Sequence, residues 1–159
     1  MFSYSLFVDE NNNFLISGTP TIETLTNYLK ILKEHNINHV IRVCIEKTYP
    51  KYMLEENGII FFDMPIVDGS IPSEIDKKLW LDTFLDLRKN NINRIAVHCV
   101  SGHGRASLYV ALCLLYDNYN PYDAITKIRE VRTGSFNSLQ IKYIKEQKNK
   151  SKSNCCIIL

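Results

Sequence analysis

The chain has 159 residues, of which 45% are hydrophobic and 11% aromatic, and this is enough apolar material for one domain with a buried core. A disordered or fibrous protein is therefore excluded. Nineteen basic and seventeen acidic residues give a net charge of only +2, which provides no global basic field for nucleic acid.

In chain order, the hydrophobic pattern predicts a hairpin, a helix, two strands, a helix, a strand and three further helices. The hairpin pairs residues 4–8 with 14–17, and the later segments are helix 21–35, strands 39–43 and 58–62, helix 73–89, strand 94–97, and helices 105–116, 122–131 and 138–147. Strands that alternate with helices predict an α/β domain over residues 1–145, with a central, mainly parallel sheet flanked by helices.

Helix 73–89 illustrates how these segments are placed. Ser73 is a suitable N-cap, and we predict that Ile75, Leu79 and Leu87 share its apolar face, with Trp80 and Phe84 beside them. No segment approaches the roughly eighteen apolar residues of a membrane helix, and residues 1–10 lack the basic start of a signal peptide. We therefore expect a protein that is neither exported nor membrane-spanning.

The most informative segment is residues 98–105, His-Cys-Val-Ser-Gly-His-Gly-Arg, between a buried strand and a helix. A loop that wraps a helix N-terminus aims several backbone N–H groups at one point, where the helix dipole adds positive potential. We therefore predict a phosphate-binding loop in which Arg105 supplies a bidentate fork for two phosphate oxygens. The backbone of the loop residues would complete the site, and these residues are Val100, Ser101, Gly102, His103 and Gly104.

Cys99 lies at the start of this loop, where the field that binds phosphate also favours thiolate over thiol. A lone cysteine at a strand end is more commonly an inert packing residue. Here, however, His98, two glycines and Arg105 all stand at the required offsets. We therefore predict that Cys99 is a nucleophile that attacks phosphorus.

Displacement of an alkoxide or phenoxide needs a proton donor, which predicts a carboxylic acid on another loop at the same sheet edge. Asp68 precedes Gly69 in a segment interrupted by prolines, whereas Asp63 still adjoins a predicted strand, so Asp68 is the better candidate. An Asp-Gly pair is also a common ordinary turn, and the residues alone leave that alternative open.

Several separated segments together resemble the phosphatases of regenerating liver, the type IVA protein tyrosine phosphatases, which are similar to dual-specificity enzymes. The matching segments are the loop from His98 to Ala106, Pro65 with Asp68 and Gly69, Arg42 to Cys44, Gly134 to Gln140, and Cys155 to Leu159. The resemblance covers essentially the whole chain.

The resemblance implies a protein tyrosine phosphatase that works through a cysteinyl-phosphate intermediate without a metal or organic cofactor. Cys99, Asp68 and Arg105 would be catalytic, and His98 would support the thiolate. It implies a phosphotyrosine protein or a phosphoinositide as substrate. It also implies a homo-oligomer at the membrane, and binding to CBS-domain magnesium transport proteins as an alternative main role.

Some loop residues depart from the family. Ser101 and His103 replace alanine and leucine, while Met64 and Val67 stand where the family has tryptophan and aspartate. Ala106, which the family shares, lacks a hydroxyl that would stabilise the departing thiolate, so we expect slow hydrolysis of the phosphoenzyme. An arsenate reductase or sulfur-transfer site is a rival for the same loop, and the Asp68 segment argues against it.

The five cysteines suit neither a disulfide framework nor a zinc site, and they favour a reducing compartment. Cys44 ends one predicted strand as Cys99 ends another, so both thiols should lie at the same sheet edge. Whether they are close enough to bridge stays open from the residues alone. The resemblance favours Cys44 as the redox partner that captures oxidised Cys99.

The last four residues, Cys156-Ile157-Ile158-Leu159, match a prenylation box, and leucine at the last position favours geranylgeranyl over farnesyl. Residues 146–159 read as a flexible, lysine-rich tail whose positive charge supplies the second signal for stable anchoring. Cys155 is a candidate for palmitoylation. We expect a lipid-anchored protein on the cytoplasmic face of the plasma membrane or of endomembranes.

Overall fold

The computed structural model of the protein describes the backbone of residues 2–153 and the side chains of residues 2–147. The elements are β1 Tyr4–Val8, β2 Asn13–Gly18, α1 Ile22–Glu34, β3 His39–Cys44, α2 Tyr52–Glu55, β4 Ile60–Ile66, α3 Glu74–Lys89, β5 Arg94–Cys99, α4 Arg105–Tyr116, α5 Pro121–Val131 and α6 Ser138–Ser153. They form the predicted α/β architecture around a five-stranded sheet.

The strand order of the sheet is β1-β2-β5-β3-β4. β1 pairs with β2 in antiparallel fashion, and all other pairs are parallel, which confirms the mainly parallel sheet. β5 is the central strand, between β2 and β3. In an open parallel sheet, ligands bind at the carboxyl ends of the strands, so the end of β5 is the expected position of a site.

Helices cover both faces of the sheet. One core cluster contains the buried faces of α3, α4, α5 and α6, and the other contains those of α1 and α2. Every residue of α4 from Arg105 to Leu114 is buried, as is typical of a helix enclosed by other elements on all sides. Within the described residues, no helix is long and apolar enough to cross a membrane.

The short helix α2 was not predicted, and most other element bounds lie within two residues of the prediction, but the ends of two elements differ by more. β4 continues past Phe62 to Ile66 and includes Pro65, which is tolerated because β4 is an edge strand whose outer side needs no N–H donor. α6 continues past Gln147 to Ser153, so the segment predicted as a flexible tail begins within a helix. Lysine, glutamate and glutamine are good helix formers, and no glycine or proline interrupts this stretch.

The predicted apolar face of α3 was also wrong. Trp80, Phe84 and Leu87 are buried, whereas Ile75 and Leu79 are exposed. The buried residues follow the i, i+4, i+7 spacing of one helix face, and Ile75 and Leu79 lie on a different one. The capping prediction is confirmed, because the Ser73 side chain accepts a hydrogen bond from the Asp76 N–H.

Candidate active site

The phosphate loop connects the end of β5 at Cys99 with the start of α4 at Arg105. Gly102 has a φ of +78°, and a Cβ at this position would lie 2.5 Å from the carbonyl carbon and oxygen of Ser17. Only glycine therefore fits. Its N–H donates to the Sγ of Cys99 at 3.2 Å, so the loop folds back over a thiol that is almost fully buried.

The Arg105 guanidinium lies under this loop and is only 1% exposed. Its Nη1 donates to the Ile66 carbonyl at 3.1 Å and to Glu46 Oε2 at 3.0 Å. Its Nε and Nη2 make no hydrogen bond within the described residues, although Nη2 forms an ion pair with Asp68 Oδ1 at 3.0 Å. Nε and Nη2 form one edge of the guanidinium and present two parallel donors, the arrangement that binds two oxygens of a phosphate.

The two candidate acids occupy different environments. Asp68 follows β4 on an exposed loop, and its ion pair brings it to Arg105. Asp63 instead accepts hydrogen bonds from Arg42 Nε at 2.9 Å and Arg42 Nη2 at 2.7 Å. These hydrogen bonds hold the pKa of Asp63 below its usual range, which makes Asp63 a poor proton donor.

His98 is fully buried behind the loop, and its Nε2 lies 2.6 Å from the Tyr49 hydroxyl. Burial lowers the pKa of His98 to about 3, and the Arg42 charge acts in the same direction, so the ring is neutral at pH 7. Its Nδ1 makes no hydrogen bond within the described residues. The structure therefore gives His98 a contact with Tyr49 and no hydrogen bond to the Cys99 thiol.

Cys44 lies at the end of β3, beside β5, in the same core cluster as Cys99. The register of β3 against β4 shifts between Arg42 and Cys44, and Val43 and Cys44 both join this cluster instead of alternating between faces. Burial raises the pKa of Cys44 to about 11, although the charge of Arg105 opposes the shift. Cys44 and Cys99 are both free thiols.

Arg132 at the end of α5 is a component of the site that the sequence did not reveal. It is buried, and it donates from Nε to the Gly102 carbonyl at 2.8 Å and from Nη2 to the Ser101 carbonyl at 2.7 Å. Its remaining hydrogen bonds also go to neutral oxygens, those of Ser5 and Ile16. Arg132 therefore turns two loop carbonyls away from the anion site and adds a positive charge behind them.

Glu46, which pairs with Arg105, and Tyr49, which pairs with His98, were also missed. All three omissions have one cause, since each contact joins segments far apart in the chain and no local pattern marks it. Ser107 directly follows Ala106 in α4. Its hydroxyl donates to the Gly102 carbonyl at 3.1 Å, so it does not serve as a substitute for the hydroxyl that Ala106 lacks.

The remaining residues predicted to bind phosphate lie in the loop between β5 and α4. Val100 is exposed, and the His103 carbonyl accepts a hydrogen bond from the Phe136 N–H at 2.9 Å. Burial lowers the pKa of His103, as does nearby Arg132. Gly104 is the N-cap of α4. The lipidation candidate in the terminal box lies outside the described residues.

Two departures from the resembled family have different surroundings. Met64 is buried against α3, where its carbonyl accepts from Trp80 Nε1 at 3.1 Å and its sulfur from the Thr83 hydroxyl at 3.4 Å. Val67, next to Asp68, is exposed. Among the residues that the structure describes, no three His, Cys, Asp or Glu side chains lie close enough together to hold a metal ion.

Comparison with known proteins gives consistent results. Residues 17–118 match the model of a family described as "Polymorphic toxin system, DSP-PTPase phosphatase". The "Probable protein tyrosine phosphatase type IVA A" of Dictyostelium discoideum is 37% identical over 155 residues, which cover 97% of this chain and 93% of that protein. The human "Protein tyrosine phosphatase type IVA 3" is 36% identical over 156 residues, 91% of this chain and 90% of the relative.

Solved structures show the same fold. A Leishmania major structure described as a protein tyrosine phosphatase has a TM-score of 0.77 and 33% identity, over 90% of this chain and 97% of that one. A kinase-associated phosphatase with its catalytic cysteine replaced by serine has a TM-score of 0.77 at 22% identity, over 96% of this chain and 97% of that one, which supports the fold alone.

Proposed function

Because this chain belongs to the type IVA protein tyrosine phosphatases, and is a phosphatase of the Cys-x5-Arg kind, we propose that it hydrolyses phosphate monoesters through a phosphate ester of Cys99. One observation carries this proposal. The Gly102 N–H that reaches the Cys99 sulfur belongs to the loop that ends at Arg105, whose buried Nε and Nη2 make no hydrogen bond within the described residues. The nucleophilic sulfur and a bidentate phosphate fork therefore lie at the two ends of one short loop.

In the first step the Cys99 thiolate attacks phosphorus, the S–P bond forms and the P–O bond to the leaving group breaks. The loop N–H groups and Arg105 hold the phosphoryl oxygens, and the entering phosphate takes the place of Asp68 on Arg105 Nη2. Asp68 takes up a proton from solvent as it leaves the guanidinium, then faces the leaving oxygen and gives it that proton. In the second step Asp68 accepts a proton from water as the water oxygen attacks phosphorus and the thiolate departs.

The second step is the slow one in this proposal. The departing thiolate is stabilised by the loop N–H groups, but Ala106 offers no hydroxyl and the Ser107 hydroxyl is bonded to the Gly102 carbonyl. Phosphoenzyme should therefore accumulate. We expect a rapid burst of aryl alcohol from an aryl phosphate, followed by slow turnover.

Rapid acid quenching followed by peptide mass analysis tests the intermediate. One phosphoryl group should appear on the peptide that contains Cys99, and Cys99→Ser should abolish both the modified peptide and aryl phosphate hydrolysis. Asp68→Asn should slow the release of poor leaving groups by roughly 10². Phosphate on any other residue, or retained activity in Cys99→Ser, would remove the proposed intermediate.

We also propose that the protein is anchored to the cytoplasmic face of a membrane through a prenyl group on Cys156. Support comes from the box at residues 156–159 and from α6, on which Lys142 and Lys145 are exposed. An intact-mass measurement on protein from its native cell tests the modification. Cys156→Ser should move the protein to the soluble fraction. We also propose a homo-oligomer at the membrane, which cross-linking of the membrane-bound protein tests.

The substrate in this proposal is a phosphotyrosine protein or a phosphoinositide. A second role is binding of CBS-domain magnesium transport proteins in the same pocket, and one observation favours it. Arg105 already pairs with the carboxylates of Glu46 and Asp68, so the pocket accepts acidic side chains as well as phosphate. Titration of such a partner by calorimetry, with inorganic phosphate as competitor, tests this role. Binding that phosphate does not weaken would place the partner elsewhere.

A further inference from the structure

The N-terminus of α6 carries two side-chain amides whose orientations are fixed. Asn137 Oδ1 accepts the Gln140 N–H at 2.9 Å, and Gln140 Oε1 accepts the Asn137 N–H at 3.1 Å. This reciprocal capping box uses both amide oxygens and thereby determines which way each amide group is turned. Both NH₂ groups are consequently directed away from the helix backbone.

The two NH₂ groups donate to consecutive carbonyls of the loop that carries Asp68. Asn137 Nδ2 donates to the Gly69 carbonyl at 2.9 Å, and Gln140 Nε2 donates to the Ser70 carbonyl at 3.1 Å. Gly69 has a φ of +69°, a conformation that lets the chain turn immediately after Asp68. The residues that follow Asp68 are therefore attached to α6 at two successive points.

The segment that leads into α6, residues 136–140, also contacts the phosphate loop. The Phe136 N–H donates to the His103 carbonyl at 2.9 Å, and a Cβ on Gly104 would lie 3.4 Å from Gln140 Nε2. Phe136 has a φ of +71°, an unusual conformation for a residue other than glycine, asparagine or aspartate. The residue with this conformation is the one whose N–H contacts the phosphate loop. Residues 136–140 thus bridge the two loops on which phosphate binding and proton donation depend.

We propose that Asn137 and Gln140 are positioning residues that hold the Asp68 loop over the phosphate, and we name this pair the amide latch. The inference rests on the proposed role of Asp68 as general acid. Neither amide needs to touch substrate. The latch acts by fixing where the Asp68 carboxyl lies, and its loss should weaken proton donation while phosphate binding by the loop N–H groups and Arg105 persists.

Two substitutions open the latch without removing the helix cap. Asn137→Asp and Gln140→Glu each keep the oxygen that the capping box uses, and aspartate and glutamate are favoured at these two positions. Each also replaces a donor with an acceptor that repels the loop carbonyl. Asn120→Asp is the matched control. Asn120 caps α5 through its side-chain oxygen, and this substitution adds the same negative charge at a helix cap away from the Asp68 loop.

The measurement is kcat/KM for two substrates, nitrophenyl phosphate with a good leaving group and phenyl phosphate with a poor one. This quantity reports the first chemical step even when phosphoenzyme hydrolysis limits kcat. Repulsion between the new carboxylate and phosphate lowers both values alike, whereas loss of proton donation lowers the phenyl phosphate value more. We expect this selective loss to be about tenfold for each variant and about a hundredfold for the pair. Asn120→Asp should show no selective loss.

Combination with Asp68→Asn separates this inference from the function on which it rests. In that background the latch substitutions should cause no further selective loss, since no acid remains to be positioned. If Asp68→Asn itself shows no selective loss, the proposed acid is wrong. If Asp68→Asn shows it but Asn137→Asp, Gln140→Glu and their combination do not, the amide latch is refuted. Equal unfolding temperatures would show that the variants are folded.

Discussion

Oxidation of Cys99 offers a quantitative test of the site, because Cys44, its proposed redox partner in the same core cluster, is a buried thiol. In the proposed switch, peroxide converts Cys99 to a sulfenic acid, and the Cys44 thiolate then attacks that sulfur, forming the S–S bond and releasing the oxygen as water. The second step depends on how much Cys44 is deprotonated. Burial raises the pKa of Cys44 to about 11, so this fraction is small at pH 7.

The expected rate follows from that pKa. An ordinary cysteine has a pKa of about 8.5, so Cys44 at pH 7 has roughly 300-fold less thiolate. A more basic thiolate is also a better nucleophile, and a Brønsted coefficient of about 0.45 restores roughly tenfold. Disulfide formation should therefore be about twentyfold to thirtyfold slower than for an unperturbed thiol in the same position. It should accelerate about tenfold per pH unit up to pH 10.

The assay separates the two chemical steps. Cys99 is oxidised briefly at one pH, the peroxide is removed, and the sample is shifted to pH 6, 7, 8 or 9 before timed alkylation and peptide mapping of the Cys44–Cys99 disulfide. Cys113→Ser is the control, because Cys113 is a buried thiol of the same domain that the switch does not use. A disulfide rate that does not change between pH 6 and 9 would refute the reasoning, as would equal reversibility in Cys44→Ser.

Three other outcomes are expected. Ala106→Ser should increase steady-state turnover severalfold without changing the burst rate, as measured by stopped-flow with an aryl phosphate; unchanged turnover would show that the missing hydroxyl is not limiting. Arg132→Met should lower kcat/KM for good and poor leaving groups by a similar factor, about tenfold or more, with partial recovery in Arg132→Lys, since Arg132 contacts the phosphate loop and not the acid loop. His98 has a pKa of about 3 against an ordinary value of 6.5, so its neutral ring favours the fold fully above pH 6.5, and this contribution decreases as the pH falls toward 3. Urea unfolding at pH 7 and pH 5 should show a loss of about 2 kcal/mol from this residue, and a His98→Asn variant with the same pH dependence as wild type would contradict it.

The parts of the site that sequence analysis predicted are those encoded locally. Gly102 must be glycine because of its positive φ and the nearby Ser17 carbonyl, and Cys99 and Arg105 lie at the two ends of the same short loop. The strand, the turn and the helix are adjacent in the chain, so their pattern determines their relative positions. The same holds for the N-cap of α3 at Ser73.

Features that depend on the packing of distant segments could not be predicted in this way. The apolar residues of α3 are compatible with more than one buried face, and contact with β4 and α4 selects the one with Trp80 and Phe84. The predicted strand ended at Phe62, before a segment interrupted by prolines, and only the edge position of β4 makes Pro65 acceptable within a strand. Sequence analysis favoured Asp68 over Asp63 from their positions in the chain, but it did not predict that Arg42 on a neighbouring strand pairs with Asp63.

The arginines near the site show why composition alone says little about its field. Arg42 is neutralised by the partly buried carboxylate of Asp63. Arg105 is paired with Glu46 and Asp68, whose side chains are exposed enough to be displaced by an entering phosphate. Within the part of the chain that the structure describes, Arg132 donates hydrogen bonds only to neutral oxygens.

These three arginines therefore contribute differently to the electrostatic field at the phosphate loop, although each carries one charge. A charge with a fixed partner adds little to the field at the loop, whereas a buried charge hydrogen-bonded to carbonyls keeps its full effect at short range. The chain has a net charge of only +2, yet Arg132, Arg105 and the N-terminus of α4 all place positive charge at the phosphate loop. For this reason the anion site depends on where each carboxylate is placed and not on the number of basic residues.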